Sequence, residues 1–156
     1  MQFMRKIRDE EGQALVLVAL AMSIFLIGAI GLGIDGSHLY AHRQMAQTAA
    51  DAAALSAIED IYEGTYSAGG TGFSIAAFTC STSDTRTPCA YAANNGFGTN
   101  ANDTVAISFP GSVPGVSGLA AGFPAELVTA KVSRTVPTTL LRFLGPTSTT
   151  VSATAT

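Results

Sequence analysis

The sequence predicts an α+β fold, in which one long N-terminal (transmembrane) α-helix precedes a small head with an antiparallel β-sheet. An uncharged apolar run extends from Ala14 to Ile34, and an alanine-rich stretch without proline continues from it as far as Gly64. Three segments rich in β-branched residues follow in the second half, separated by glycine and proline. With 156 residues, the chain has room for one modest domain besides the apolar helix.

The apolar run has the length of a membrane span. Its 21 residues include one polar side chain, Ser23, and as a helix they extend over roughly 31 Å, about the thickness of the hydrocarbon core of a bilayer. Leu, Ile, Val and Phe account for twelve of these residues. Each contributes about −0.3 to −0.6 kcal/mol near the bilayer centre, so insertion is favourable by several kcal/mol. We therefore expect a membrane anchor, or a helix packed against many copies of itself.

The charges that flank the apolar run predict its orientation. Three basic residues precede the run, Arg5, Lys6 and Arg8, whereas only Arg43 lies close behind it. The flank of a span that is richer in Lys and Arg faces the cytoplasm, so we expect the N-terminal leader in the cytoplasm and the chain after Ile34 outside.

A cleaved signal peptide is the alternative, with a small-x-small site at Ala29–Gly31. The run is long for a signal core, however, and helix-forming sequence continues past it. The chain thus divides into a cytoplasmic leader (1–13), a transmembrane or assembly helix (14–34), a continuing alanine-rich helix (35–63) and an α+β head (64–156).

Small side chains along the helix predict where it packs. Ala29, Gly33, Ser37 and Ala41 form an every-fourth row of the kind that allows two helices to approach closely. An alanine face continues this smooth surface and includes Ala46, Ala49, Ala50, Ala53 and Ala57. This face packs between subunits or covers the head of its own chain, and the two can hold together at different heights along the helix. We take Ala29, Gly33, Ser37, Ala41, Asp35, Ala49 and Ala53 as candidate assembly residues.

The head is predicted from short segments with clear boundaries. The long helix ends near Tyr62, and glycines indicate a loop from Gly64 to Gly72. We expect a short strand or helix start at Ser74–Thr79, a helix at Pro88–Asn95 capped by Gly96, strands at Thr104–Phe109, Leu127–Val136 and Ser148–Ala155, and a helical turn at Pro137–Leu144.

Cys80 and Cys89 lie nine positions apart in the predicted outer part. A short-loop disulfide is the default for such a pair in an oxidising compartment. A metal site needs more ligands than two cysteines. The sequence therefore predicts a structural disulfide.

The remaining chemistry argues against an enzyme or a nucleic-acid-binding protein. A net charge of −3 and a pI near 5.2 offer no basic patch for nucleic acid. The two histidines, His38 and His42, lie on the helix and leave the head without a general base of that kind. With Asp35 they share one helix face that could ligate a metal, although polarity at the end of an apolar helix accounts for them more simply.

A G-x-G-x-x-G pattern at Gly31–Gly36 lies inside the helix with no preceding strand, so it predicts no nucleotide site. We expect no cofactor and no metal, and Asp35 could pair with Arg43 or a histidine of a neighbouring subunit.

Two parts of the chain carry a resemblance to a known family. The segment from Glu10 to Ala57 combines a glycine after a charged leader, the apolar helix, an Asp-Gly pair at Asp35 and an AADAAALSA run. It resembles the N-terminal signature of tight-adherence (Tad, or Flp) pilus-assembly proteins of the TadE/TadG-like group. The end of the chain, from Val128 onward, is also similar to the end of such proteins.

Two features of the chain depart from the patterns of related proteins. Type IV pilins and Flp pseudopilins are cut after a glycine and carry Glu at the fifth mature position, where Leu17 stands here. The metal-binding von Willebrand type A domain of larger TadG-like members has no counterpart.

The resemblance implies a pilin-like build and a bacterial envelope location. It implies a structural subunit of a Tad/Flp-type surface filament that assembles through its N-terminal helix. The alternative is an accessory factor that stays in the inner membrane and serves pilus assembly or secretion. In both cases the head faces outward, and the expected partners are the membrane, further copies of the chain, and other pilus subunits or assembly proteins.

Overall fold

A computed structural model describes residues 2–66, 72–117 and 125–156, with the backbone alone described for residues 2–11 and Leu144. Part of the predicted 64–72 loop lies outside these residues. The chain forms two compact units. Unit 1 comprises the chain up to His38 together with Thr138–Thr147, and unit 2 comprises Leu39–Pro137 together with Ser148–Thr156.

One helix, α1, extends from Gln2 to Glu63 and contributes residues to both units. The sequence predicted a leader at residues 1–13 ahead of the helix, but residues 2–13 are helical as well, because they contain no proline and many good helix formers. After Glu63 the chain leaves the helix at Gly64, which has a positive φ of 73°. Glycine adopts this left-handed conformation without steric cost, so the helix ends where the sequence predicted.

The strands of unit 2 form one antiparallel sheet in the order β1-β2-β3-β4. Val105 pairs with Val132, and Val132 pairs with Ala153, so apolar side chains line up across the sheet on one face. The predicted α+β class, with its antiparallel sheet, is confirmed. The elements after α1 are β1 (Phe78–Thr79), α2 (Thr87–Asn94), β2 (Asp103–Ser108), β3 (Thr129–Pro137), the 3₁₀ turn η1 (Leu141–Leu144) and β4 (Ser148–Ala155).

The core of unit 2 lies between the sheet and the alanine face of α1. Val105, Ile107 and Val132 are buried on the sheet, and Ala49 and Ala53 on the helix have no exposed surface. The small alanine side chains of the helix pack in one buried cluster with the larger side chains of the sheet. Of the two alternatives for the alanine face, the structure therefore shows the second: it covers the sheet of its own chain. Ala49 and Ala53 are consequently not available as a surface for a neighbouring subunit.

The predicted disulfide joins Cys80, directly after β1, to Cys89 in α2, with an S–S distance of 2.07 Å. Within the loop that it closes, Arg86 forms an ion pair with Asp84 and lies 3.8 Å above the ring of Phe78. The disulfide thus fixes a short connection that has little apolar core of its own.

A buried ion pair connects β2 and β3 near the end of α2. The side chain of Asp103 is fully buried, and its Oδ1 lies 2.5 Å from Nε of Arg134. Arg134 also donates to the carbonyl of Gly96 and lies 4.1 Å above the ring of Phe97. Burial raises the pKa of Asp103, but the Arg134 guanidinium and the N–H groups of the Gly98–Asn100 loop outweigh burial and hold this pKa below its usual value.

Candidate assembly site at the end of the apolar helix

Unit 1 is built from the apolar part of α1 and from Thr138–Thr147, which we call the β3–β4 loop. The loop contacts the helix at Gly31, where an added Cβ would lie 3.0 Å from Cβ and 3.2 Å from Cδ1 of Leu140. These distances are shorter than ordinary carbon–carbon contacts of about 3.5–4.0 Å. Gly31 is therefore required by the close approach of the loop.

Asp35 holds the start of the loop. Its side chain is 2% exposed, and its carboxylate accepts hydrogen bonds from the backbone N–H groups of Thr139 (3.0 Å), Leu140 (2.9 Å) and Leu141 (2.6 Å). These groups lead into η1, where the first N–H groups of a helical turn have no partner within the turn. The carboxylate thus caps this turn from a distant part of the chain.

Asp35 follows the apolar segment directly, and its ionised form is favoured there. The N–H of Leu141 is the strongest of the three donors in lowering the pKa of the Asp35 carboxyl; burial acts against it, and the other two donors act with it. The balance holds the pKa of Asp35 below its usual value. The site therefore contains a carboxylate whose charge is satisfied by backbone donors.

An apolar groove of about 280 Å³ lies between the helix and the loop. Leu140 and Leu141 are half-buried there, whereas Phe143 remains 79% exposed. The groove offers apolar walls and a wide opening. Its lining residues are Ile24, Ile27, Gly28, Gly31, Leu32, Leu140, Leu141 and Phe143.

The small-residue row faces away from the loop. Ala29, Gly33 and Ser37 are exposed, and a Cβ on Gly33 would have no neighbouring atom within 4 Å among the described residues. At 3.6 residues per turn, Gly33 lies about 200° from Gly31 around the helix axis. Ala41, in unit 2, is exposed too. The described residues of the chain therefore leave this row uncovered.

The apolar segment itself is exposed along its length. Its large side chains are between 50% exposed at Ile34 and 71% exposed at Leu15. By length and composition, this is the one helix among the described residues that could cross a membrane. A continuous apolar surface of this kind needs lipid or other protein to cover it.

The structure separates the residues that the sequence grouped together. Ala49 and Ala53 lie in the core of unit 2, the small-residue row is exposed, and Asp35 binds the β3–β4 loop of its own chain. Sequence reasoning missed this last interaction because its partners lie 104 to 106 positions away. The sequence contains only a weak indication of this interaction: a carboxylate at the end of an apolar helix needs hydrogen-bond donors, but nothing shows which residues supply them.

An exposed apolar N-terminal helix of membrane-spanning length, followed by a small disulfide-bonded α+β unit, defines a protein of pilin-like build. Residues 12–69 match the family model of the TadE/G-like Flp pilus-assembly proteins (Tad), and the chain is similar to that family over this segment. The match confirms the resemblance predicted from the N-terminal sequence. No curated protein and no solved structure matches the chain.

The matched family is one of Flp pilus-assembly proteins, so the similarity suggests involvement in Flp pilus assembly. Together with the apolar helix, it is consistent with membrane anchoring and with association with a pilus. The matched residues include Asp35 and the small-residue row.

Proposed function

We propose that this chain is a structural, pilin-like subunit of a Tad/Flp-type surface filament and assembles through its N-terminal helix. The observation that carries the proposal is the continuous exposure of the apolar segment, with Ala29, Gly33 and Ser37 uncovered on the face opposite the β3–β4 loop. Its role is association and not catalysis.

The mechanism follows from the chemistry of the helix. Lipid and protein are equally apolar surroundings for leucine and isoleucine, so helices associate through close packing, and small residues allow their backbones to approach. A row at Ala29, Gly33 and Ser37 supplies such a surface. Because the carboxylate of Asp35 is already satisfied within its own chain, the helix enters a subunit interface without an unpaired charge at its end.

We place the leader in the cytoplasm and unit 2 outside. Arg5, Lys6 and Arg8 support this orientation through the positive-inside rule. The disulfide between Cys80 and Cys89 supports it independently, because disulfides persist in oxidising compartments.

An accessory factor that remains in the inner membrane is the second candidate. Leu17 favours it, because it occupies the position five residues after Gly12 where filament-forming pilins carry a glutamate. The apolar helix then serves as a permanent anchor beside the assembly machinery.

Shearing of cells distinguishes the two candidates. Immunoblots of the released filaments and of the membrane pellet, with a resident inner-membrane protein as the control for breakage, give the distribution of the chain. A filament subunit is released together with the pili. Exclusive retention in the pellet, while the cells shed pili, would contradict the proposal and leave the accessory role.

A further inference from the structure

We infer that the β3–β4 loop is a second membrane-inserting element, whose turn Leu140–Phe143 enters the acyl chains of the outer leaflet beside the apolar helix. The inference rests on the proposed membrane anchor and adds a lipid-binding surface contributed by the C-terminal half of the chain. The occupant of this surface is the hydrocarbon of the lipid.

The depth of the loop follows from its contacts with the helix. Leu140 lies against Gly31, three residues before the end of the apolar segment at Ile34. The groove that the loop shares with the helix extends to Ile27 and Ile24. At 1.5 Å per residue, Gly31 and Ile27 lie about 4.5 Å and 10 Å below Ile34. When residues 14–34 span a bilayer, the loop therefore lies within its outer leaflet.

The side chains at the tip of the loop have the chemistry that this depth requires. Phe143 is 79% exposed, and it forms one wall of the groove with Leu140 and Leu141. The groove is continuous with the exposed apolar surface of the helix, so one apolar occupant covers both. Acyl chains fit this surface because they surround an anchored helix on every side that protein leaves open.

Backbone N–H groups at the start of the loop have hydrogen-bond acceptors within the protein, as a surrounding without water requires. An irregular segment is tolerated at membrane depth only where its polar groups are satisfied by protein. Asp35 accepts the N–H groups of Thr139, Leu140 and Leu141. At the base of the loop, Thr138 donates its N–H to the carbonyl of Thr147 and its hydroxyl to the carbonyl of Pro146.

Arg142 is the charged residue of the loop, and it is exposed. An arginine near a membrane surface places its apolar stem among the acyl chains and extends its guanidinium to the phosphate layer. The sequence Leu-Arg-Phe thus combines an apolar tip with a group that binds lipid headgroups.

Tryptophan fluorescence tests the depth directly, because the chain contains no tryptophan. Full-length Phe143→Trp is reconstituted in phosphatidylcholine–phosphatidylglycerol vesicles with and without acyl-brominated lipids, which quench tryptophan in contact with them. Phe25→Trp, at a residue 70% exposed in the apolar segment, is the reference inside the bilayer, and Tyr62→Trp, at a residue 73% exposed in unit 2, is the reference outside.

We expect blue-shifted emission from Phe143→Trp and quenching at least threefold above that of Tyr62→Trp. Adding Asp35→Ala to Phe143→Trp removes the carboxylate that accepts the backbone N–H groups of the loop. The quenching of the tryptophan at position 143 should then fall at least twofold, while Phe25→Trp stays quenched. If Phe25→Trp is quenched but Phe143→Trp behaves like Tyr62→Trp, the inference is overturned, and the loop surface belongs to a protein partner. If Phe25→Trp is not quenched either, the membrane anchor fails and the inference fails with it.

Discussion

The contact between the β3–β4 loop and the helix depends on the absence of one methyl group at Gly31. In Gly31→Ala, the new Cβ lies 3.0 Å from Cβ of Leu140. The loop must retreat by about 0.5 Å or more to reach an ordinary contact distance. Leu140 cannot simply rotate away, because its Cβ is fixed to a backbone whose N–H binds Asp35.

Overpacking a close contact costs about 1–3 kcal/mol. Alanine in place of glycine also stabilises the helix by up to about 1 kcal/mol, but this effect is the same with the loop bound and with the loop released, so it cancels. The loop contact is then destabilised by about 1 kcal/mol or more, which corresponds to a roughly fivefold or greater increase in the fraction of released loop. Gly33→Ala is the matched control, since its Cβ meets no described atom within 4 Å and adds only the helix-stabilising effect.

Limited trypsin digestion of the detergent-solubilised chain measures the released fraction at Arg142, which is exposed in the loop. Cleavage of a transiently opened segment follows its equilibrium population when reclosing is fast. We expect cleavage after Arg142 to be at least about fivefold faster in Gly31→Ala and unchanged in Gly33→Ala, with cleavage at Lys131 in β3 as the internal reference. Equal rates at Arg142 in wild type, Gly31→Ala and Gly33→Ala would refute the close-approach argument.

Three further predictions concern unit 2. Arg134→Met leaves the buried carboxylate of Asp103 without its partner and should lower the free energy of unfolding by on the order of 3 kcal/mol in urea titrations. The folded-state pKa of Asp103 is depressed, so this ion pair stabilises the wild type above the unfolded carboxyl pKa of about 4 and loses that effect as the pH falls below it. The variant lacks the pair and should therefore lose less stability than the wild type between pH 6 and pH 3. Thermal unfolding of both proteins at each pH measures this difference. Replacing Cys80 and Cys89 together by alanine should cost about 2–3 kcal/mol, and a reductant should then lower the Tm of wild type but not of the variant. Ala53→Leu should destabilise the buried helix–sheet contact by about 1–3 kcal/mol, whereas Ala41→Leu, at an exposed position, should leave the Tm nearly unchanged.

Much of the fold could be predicted because its signals are local. The strand predicted at Ser148–Ala155 occurs with these bounds, since alternating β-branched residues favour an edge strand and Pro146 marks its start. The predicted turn at Pro137–Leu144 is shorter than expected, because Pro137 still pairs with Ser148 in the sheet and the 3₁₀ turn covers only Leu141–Leu144.

The site was less predictable because it depends on contacts between distant parts of the chain. An exposed alanine face and a buried one have the same sequence pattern, and only the position of the sheet decides that Ala49 and Ala53 are buried. In the same way, no local pattern connects Asp35 to Leu141. The sequence identified Asp35 as a candidate assembly residue and suggested Arg43 or a histidine of a neighbouring subunit as its partner, whereas its donors here are backbone N–H groups of its own chain.

The central claim, assembly through the small-residue row, is tested most directly by one pair of variants. Gly33→Leu fills the row at a position with no described neighbour, and Ala21→Leu adds the same side chain at an exposed position about 120° away around the helix. The measurement is the amount of chain in the sheared filament fraction, relative to an equal amount in the membrane. We predict at least a tenfold loss for Gly33→Leu and wild-type release for Ala21→Leu. Wild-type release of Gly33→Leu would contradict the account, because the filament would then assemble without close packing at this row.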